Sequence, residues 1–211
     1  MIRLLIVDDH TIVREGIRQL LDVTEDIRVE GEASQSSEMF NKLKEEEYDV
    51  ILLDISLPGR NGVETLKELQ EYQPNIPVLI LSMHPEEQYA LRVMKAGAAG
   101  YLTKKGTFEE MVHAIRTVAG GRKYISSSLA ETLAEHINGS TETLEHHSLS
   151  DREFEVLKRI ASGQPLKDIA ANLSLSVKTI STYRSRILKK LGLKNNSEIV
   201  RYAMNHKLIN N

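Results

Sequence analysis

Val50-Ile51-Leu52-Leu53-Asp54-Ile55-Ser56-Leu57-Pro58-Gly59 is the stretch that decides the fold. Its continuous apolar run, β-branched at Val50 and Ile51, suits a strand covered on both faces, as in a parallel α/β sheet. The run delivers one carboxylate, Asp54, to the start of a Pro-Gly loop, and in such sheets chemistry gathers at the carboxyl ends of strands. An Asp that opens a turn is also an ordinary structural residue. The meaning of Asp54 therefore rests on what stands at the other strand ends.

Upstream, Leu4 to Val7 predict a short strand ending at Asp8-Asp9, followed by a helix with Ile12, Val13, Ile17, Leu20 and Leu21 at helical spacing. Ile27 to Ala33 alternates and predicts a strand nearer the sheet edge, followed by a helix carrying Met39, Phe40 and Leu43. Downstream, Gly62 precedes a helix with Val63, Leu66 and Leu69 that stops before Pro74, and Ile76 to Leu81 predict a fourth strand ending at Ser82. A helix with Tyr89, Ala90, Val93 and Met94 leads to the strand Tyr101-Leu102-Thr103, which ends at Lys104. Thr107 and Glu110 fit a capping box for a fifth helix bearing Met111, Val112, Ile115, Val118 and Ala119, which Gly120-Gly121 ends.

Strands alternating with helices imply an α/β doubly wound, five-stranded parallel sheet, flavodoxin-like in class. Its strand ends present Asp8, Asp9, Asp54, Ser82 and Lys104 on one rim. Clustered acids repel one another, which calls for raised pKa values or a bound cation. Mg²⁺ is the economical choice, because it needs only one or two carboxylates when a phosphate supplies further oxygens. His10 beside the acids is not expected to ligate, since hard Mg²⁺ prefers oxygen.

These residues in this order resemble the receiver domain of two-component response regulators, in which a histidine kinase phosphorylates an aspartate. The resemblance covers about residues 1–121 and implies Asp54 as phosphoacceptor. It implies Mg²⁺ ligation by Asp9, Asp54 and the Ser56 carbonyl, with Asp8 acting mostly through water. Ser82 would bond the phosphoryl group, Lys104 would pair with it, and Tyr101 resembles the switch aromatic. Ser56 and His84 resemble the variable positions that tune dephosphorylation. Lys105 stands where many receivers carry proline, so a cis peptide after Lys104 cannot be assumed.

Charge separates the chain into two parts. Residues 1–148 carry 15 Lys and Arg against 25 Asp and Glu, whereas residues 149–211 carry 12 against 5. An acidic body with a basic C-terminal domain points to a nucleic-acid partner for the latter. The absence of cysteine excludes disulfides and thiolate chemistry. The N-terminus reaches Asp8 too early for a signal-peptide core and no apolar run approaches a membrane span, so a cytoplasmic protein without membrane contact is expected.

Residues 122–148 read as a linker, with Leu129, Leu133 and Ile137 spaced for a short helix ending at Gly139 and a polar, mobile stretch from Ser140 to His147. His146-His147 is read as a chance pair rather than a metal site. In residues 149–211, Ser150 and Glu153 are in capping-box register for a helix with Phe154, Val156, Leu157, Ile160 and Ala161. A second helix spans Leu166 to Leu173, Ser174 to Ser176 turn the chain, and a third helix runs from Val177 to about Leu191. That is a helix-turn-helix.

One side of the third helix carries Ile180, Ile187, Leu188 and Leu191, while Lys178, Thr182, Ser185 and Lys189 lie opposite. A basic, short-chained face suits a major groove, although a solvated amphipathic helix also has a charged face. The segment resembles the LuxR-type effector domain of NarL/FixJ response regulators. The likeness implies promoter DNA as partner, with base-facing Ser181, Thr182 and Ser185. Lys178, Thr179, Tyr183, Arg186 and Lys189 would meet phosphates or groove edges, and Lys167 would reach the backbone. Arg184 could reach a phosphate or pair with an acid such as Glu153. The last helix, capped by Asn195 with Glu198, carries Ile199, Val200, Ala203 and Met204, part of them core and the rest resembling a homodimer contact.

The expected function is thus a non-enzymatic transcriptional regulator, phosphorylated on Asp54 by a sensor histidine kinase. One alternative is a regulator that binds DNA independently of phosphorylation. Another is an aspartyl-phosphate hydrolase, but that class places its nucleophile after the first strand in an Asp-x-Asp pattern, which Asp8-Asp9-His10 does not match.

Overall fold

The computed structural model describes residues 1–57, 62–137, 145–173, 175–206 and 208–209. Pro58-Gly59, Gly139, the stretch 140–144 and Ser174, each given a place in the sequence reading, lie outside the described residues, as does the side chain of His147. The chain divides into two compact units, Met1–Ala134 and Glu135–Asn211.

In the first unit, β1 (Ile2–Val7), β2 (Ile27–Ala33), β3 (Val50–Asp54), β4 (Val78–Ser82) and β5 (Gly100–Thr103) form one sheet in the order β2-β1-β3-β4-β5. All four pairings are parallel. The connecting helices are α1 (Thr11–Leu21), α2 (Ser36–Glu45), α3 (Gly62–Tyr72), α4 (Glu86–Lys95) and α5 (Phe108–Ala119). Strand alternation sorts the core into two layers. Ile51 and Leu53 meet α2, α3 and α4 through Met39, Leu66, Leu69 and Val93. Val50 and Leu52 meet α1 and α5 through Ile17, Leu21, Met111 and Ile115. Helices on both faces explain why β3 reads as unbroken hydrophobicity and is buried at every residue.

Several boundaries differ from the sequence reading. β1 begins at Ile2, whose N–H donates to the Asp26 carbonyl. β4 begins at Val78 rather than Ile76, because Pro77 has no N–H for the ladder; its carbonyl instead accepts from Ile51 N–H. The capping box at α5 is only half formed. Thr107 Oγ1 accepts from Glu110 N–H, but the Glu110 carboxylate turns to the Tyr124 hydroxyl at 2.9 Å.

The first unit also outruns residue 121. Tyr124 is buried beside α5, and α6 (Ser127–Ile137) sends Leu129 into the core that contains Tyr101, with Leu133 packed against it. The predicted linker helix therefore starts as part of the first unit.

The second unit holds a 3₁₀ turn (Glu145–Ser148), α7 (Asp151–Ala161), α8 (Leu166–Asn172), α9 (Val177–Lys190) and α10 (Asn196–Asn205). Ser150 and Glu153 complete the expected capping box, Ser176 Oγ accepts from Thr179 N–H, and Asn195 Oδ1 accepts from Glu198 N–H. Phe154, Leu157, Ile169, Ile180, Ile187, Ile199 and Ala203 form the buried centre. The stretch expected to be mobile ends in structure: His146 is buried and stacks near Phe154, with its Nδ1 3.1 Å from the Tyr202 hydroxyl. An aromatic cage rather than composition decides its place. Among the described residues no helix is long and apolar enough to cross a membrane.

Candidate functional site: an acidic pocket and a basic helix

Register brings the strand ends together. Val7 pairs with Leu53, Asp54 with Leu81 and Ser82 with Thr103, so the residues that follow each strand converge on one rim. Asp54 and Asp8 are each 1 % exposed and Ser82 is fully buried. Lys104 lies between the two carboxylates, its Nζ 2.7 Å from Asp54 Oδ2 and 2.6 Å from Asp8 Oδ2. Asp54 Oδ1 accepts from Ser56 N–H at 2.8 Å. Asp9 is partly exposed beside them, and His10 Nδ1 is 2.8 Å from Asp9 Oδ1 and 3.1 Å from Asp8 Oδ1.

Burial pushes the Asp54 carboxyl above the ordinary carboxylate range, against the opposing pull of the Lys104 ammonium and the Ser56 N–H. Burial alone would lower Lys104, but hydrogen bonds to Asp54 and Asp8 outweigh it and raise that pKa. The pocket is thus a carboxylate pair clasped by one held cation. Its donor set also suits a hard metal ion: ligand atoms of Asp8, Asp9, His10 and Asp54 all lie within 4.8 Å of one another, three of them carboxylate oxygens.

The switch candidates join this pocket through hydrogen bonds. His84 N–H donates to Ser82 Oγ at 3.0 Å, and the Tyr101 hydroxyl donates to the His84 carbonyl at 2.8 Å. Tyr101 is therefore turned inward and 1 % exposed. The His84 ring stacks on Tyr89 at 4.8 Å. Ser56 is exposed. Among the described residues no peptide bond is cis.

In the second unit, Lys167, Lys178, Thr182, Ser185, Arg186 and Lys189 are exposed, and Thr179, Ser181 and Tyr183 are half-buried. The Thr182 and Ser185 hydroxyls donate to the Lys178 and Ser181 carbonyls, each at 3.0 Å. Their lone pairs are left outward as acceptors. Arg184 does not pair with Glu153: its Nε donates to Asn196 Oδ1 at 2.5 Å, and Glu153 is instead claimed by Lys190 at 2.7 Å. Of the four residues suggested for pairing, Ile199 and Ala203 are fully buried in their own unit. They are the core part of the set, because a side chain closed in its own core offers no area to a partner. Val200 is half-buried and Met204 is 48 % exposed.

Three contacts escaped the sequence reading. Arg14 Nη1 donates to the Asp8 carbonyl at 2.6 Å. Glu86 Oε2 accepts from the hydroxyls of Ser126 and Ser128 at 2.6 and 2.5 Å. His146 enters the cage described above. Only the first had a usable signal: Arg14 sits one turn into α1, and a long helical side chain leans back toward the helix N-terminus.

A sheet whose rim carries this acid, hydroxyl and lysine set, followed by a helix-turn-helix, defines a receiver joined to an effector domain. Residues 4–116 match the response regulator receiver domain, and residues 147–203 match the bacterial regulatory proteins of the luxR family. The chain is 37 % identical over 211 residues to the response regulator UvrY of Escherichia coli, covering 100 % of this chain and 97 % of that protein. It is 38 % identical over 210 residues to the response regulator GacA of Pseudomonas aeruginosa, covering 99 % and 98 %. Among solved structures it resembles RcsB from Salmonella enterica serovar Typhimurium bound to promoter rprA in the presence of phosphomimetic BeF3-. That likeness has a TM-score of 0.69 at 27 % identity and covers 96 % of this chain and 98 % of that one. The chain belongs to the NarL/FixJ family of two-component transcriptional response regulators.

Proposed function

We propose that a histidine kinase phosphorylates Asp54 and that this modification controls promoter binding through α9. The observation that carries the reading is the Lys104 ammonium held between Asp8 and Asp54, 2.6 and 2.7 Å away. A carboxylate oxygen of Asp54 attacks the phosphorus of the donor phosphohistidine. The new O–P bond forms as the P–N bond breaks, and the imidazole leaves with its electron pair. Lys104 then transfers its pairing from the carboxylate to the phosphoryl oxygens. The Ser82 hydroxyl donates to the phosphoryl group, which draws it away from the His84 N–H. Mg²⁺, held by Asp9, Asp54 and the Ser56 carbonyl with Asp8 nearby, supplies positive charge beside the phosphoryl oxygens when bound.

Kinase docking is supported by the surface beside the pocket. An apolar cavity of about 280 Å³, lined in part by Val13, Ile17, Leu20, Met83 and Phe108, reaches Lys104. Leu20 and Met83 are exposed there, which suits an amphipathic helix presenting the phosphohistidine. Ser56 and His84 flank the approach to Asp54 and tune dephosphorylation.

For DNA, α9 enters the major groove. Ser181, Thr182 and Ser185 face bases, Lys178, Thr179, Tyr183, Arg186 and Lys189 meet phosphates or groove edges, and Lys167 reaches the backbone from α8. The RcsB relative bound to promoter rprA supports this partner. Active molecules pair as homodimers through Val200 and Met204.

Phosphodonor labelling of the full chain and of Asp54→Asn tests the reading. Label is expected on the wild type and lost from the variant; equal label on both, or none on either, rejects it.

A further inference from the structure

We propose that Arg14 is a positioning residue that aims the acidic loop at Asp54. Asp8 is held by hydrogen bonds at its N–H, its carbonyl and Oδ1, and by an ion pair at Oδ2. Its N–H donates to the Ala33 carbonyl at 3.1 Å, Oδ1 accepts from His10 N–H at 2.9 Å, and Oδ2 meets Lys104 Nζ at 2.6 Å. The fourth tie, from Arg14 Nη1 to the Asp8 carbonyl at 2.6 Å, comes from a side chain whose second anchor lies on β2. Arg14 Nε lies 3.2 Å from Glu32 Oε2, and Glu32 precedes the Ala33 that already holds the Asp8 N–H. The guanidinium thus bridges the end of β1 to β2, with its side chain only 13 % exposed.

This bridge stands where ordinary capping is missing. His10 at the start of α1 makes no side-chain cap, and the first turn carries no acid. Without Arg14, the peptide joining Asp8 to Asp9 would lose its hydrogen-bonding partner, and the Asp9 carboxylate would lose a fixed direction. A planar fork can hold a carbonyl and a carboxylate together, whereas a lysine ammonium has no such paired geometry. Supporting groups of this kind orient carboxylates in metal sites and typically change metal affinity about tenfold or more.

The proposal rests on reading Asp8, Asp9 and Asp54 as the Mg²⁺ site, so the test separates the two. Mg²⁺ is titrated calorimetrically into the full chain and into Arg14→Lys, Arg14→Ala and Arg18→Ala, alongside thermal unfolding. Arg18 reaches Glu32 Oε1 at 3.4 Å but makes no bond to the Asp8 carbonyl. Expected is a rise in the Mg²⁺ dissociation constant on the order of tenfold for Arg14→Ala. Arg14→Lys is expected to show a smaller rise and Arg18→Ala none. Phosphodonor labelling of the Arg14 variants is expected to slow at limiting Mg²⁺ and to recover at saturating Mg²⁺. Unchanged Mg²⁺ affinity in both Arg14 variants, whatever their thermal midpoints, overturns the role of Arg14, as does an equal rise for Arg18→Ala. A wild-type chain that binds no Mg²⁺ overturns the underlying metal reading together with it.

Discussion

Lys104 shows how one residue sets the pocket's electrostatics. Two buried carboxylates share its ammonium, so Lys104→Met leaves both without their counter-charge. Removing one partner from a buried pair costs on the order of 3 kcal/mol. Thermal unfolding in metal-free buffer is expected to show that loss, and added Mg²⁺ is expected to stabilise the variant more than the wild type. Gly62 is the second sensitive residue. Its N–H donates to the Ile55 carbonyl at 3.2 Å, and a Cβ there would run into the Ile55 backbone, just beyond Asp54. Backbone cannot step aside as a side chain can. Gly62→Ala is expected to cost about 1–3 kcal/mol in urea unfolding and to slow labelling of Asp54 by shifting the chain after it. Asp54, Ser82 and Lys104 were legible as strand-end residues because position and residue type sufficed. The Arg14 contact was only half legible: its place one turn into α1 aims the side chain back toward the loop, but the carbonyl it meets carries no sequence signature.

Two elements are held by polar contacts whose loss should be visible. The start of α6 is clasped to α4 by Glu86, which accepts from Ser126 and Ser128, while Leu129 fills the core behind. Glu86→Ala leaves two hydroxyls without their acceptor. Amide exchange in residues 126–134 is expected to quicken on this substitution while β3 and β4 keep wild-type protection. In α7, burial of Glu153 favours its neutral form, but the Lys190 ammonium and the Ser150 hydrogen bonds outweigh burial and hold its pKa below the ordinary range. The folded state therefore favours the ionised acid. Its contribution is fully present above the unfolded value and is lost as pH falls through the folded one. Acid unfolding of the second unit is expected to flatten below about pH 4.5 in Glu153→Gln relative to wild type, as read by exchange in α7 and α9. The helix start itself was legible from the spacing of Ser150 and Glu153; that Lys190 completes it was not, since 37 residues separate the pair.

At the scale of the molecule, an acidic receiver body and a basic effector unit divide the work. Charge is concentrated where DNA is expected, so affinity for a promoter fragment should fall steeply with salt. With about six phosphates neutralised, binding drops roughly a thousandfold between about 50 and 200 mM salt. Lys189→Ala is expected to reduce the slope of log affinity against log salt by about one, measured by fluorescence anisotropy. A slope equal to that of the wild type removes Lys189 from the phosphate contacts.

The sequence by itself determined the alternation of strands and helices, the acids, hydroxyl and lysine at the strand ends, and the helix-turn-helix. Each of these is a local pattern, set by side-chain period, caps and the residue that follows an apolar run. Tertiary structure alone decided the clamp of Arg14 on the Asp8 carbonyl and the inward hydroxyl of Tyr101 on the His84 carbonyl. It also decided the attachment of α6 to the receiver, the enclosure of His146, and the burial of Ile199 and Ala203. These depend on which long side chain meets which distant group across packed elements, a relation that spacing along the chain does not encode.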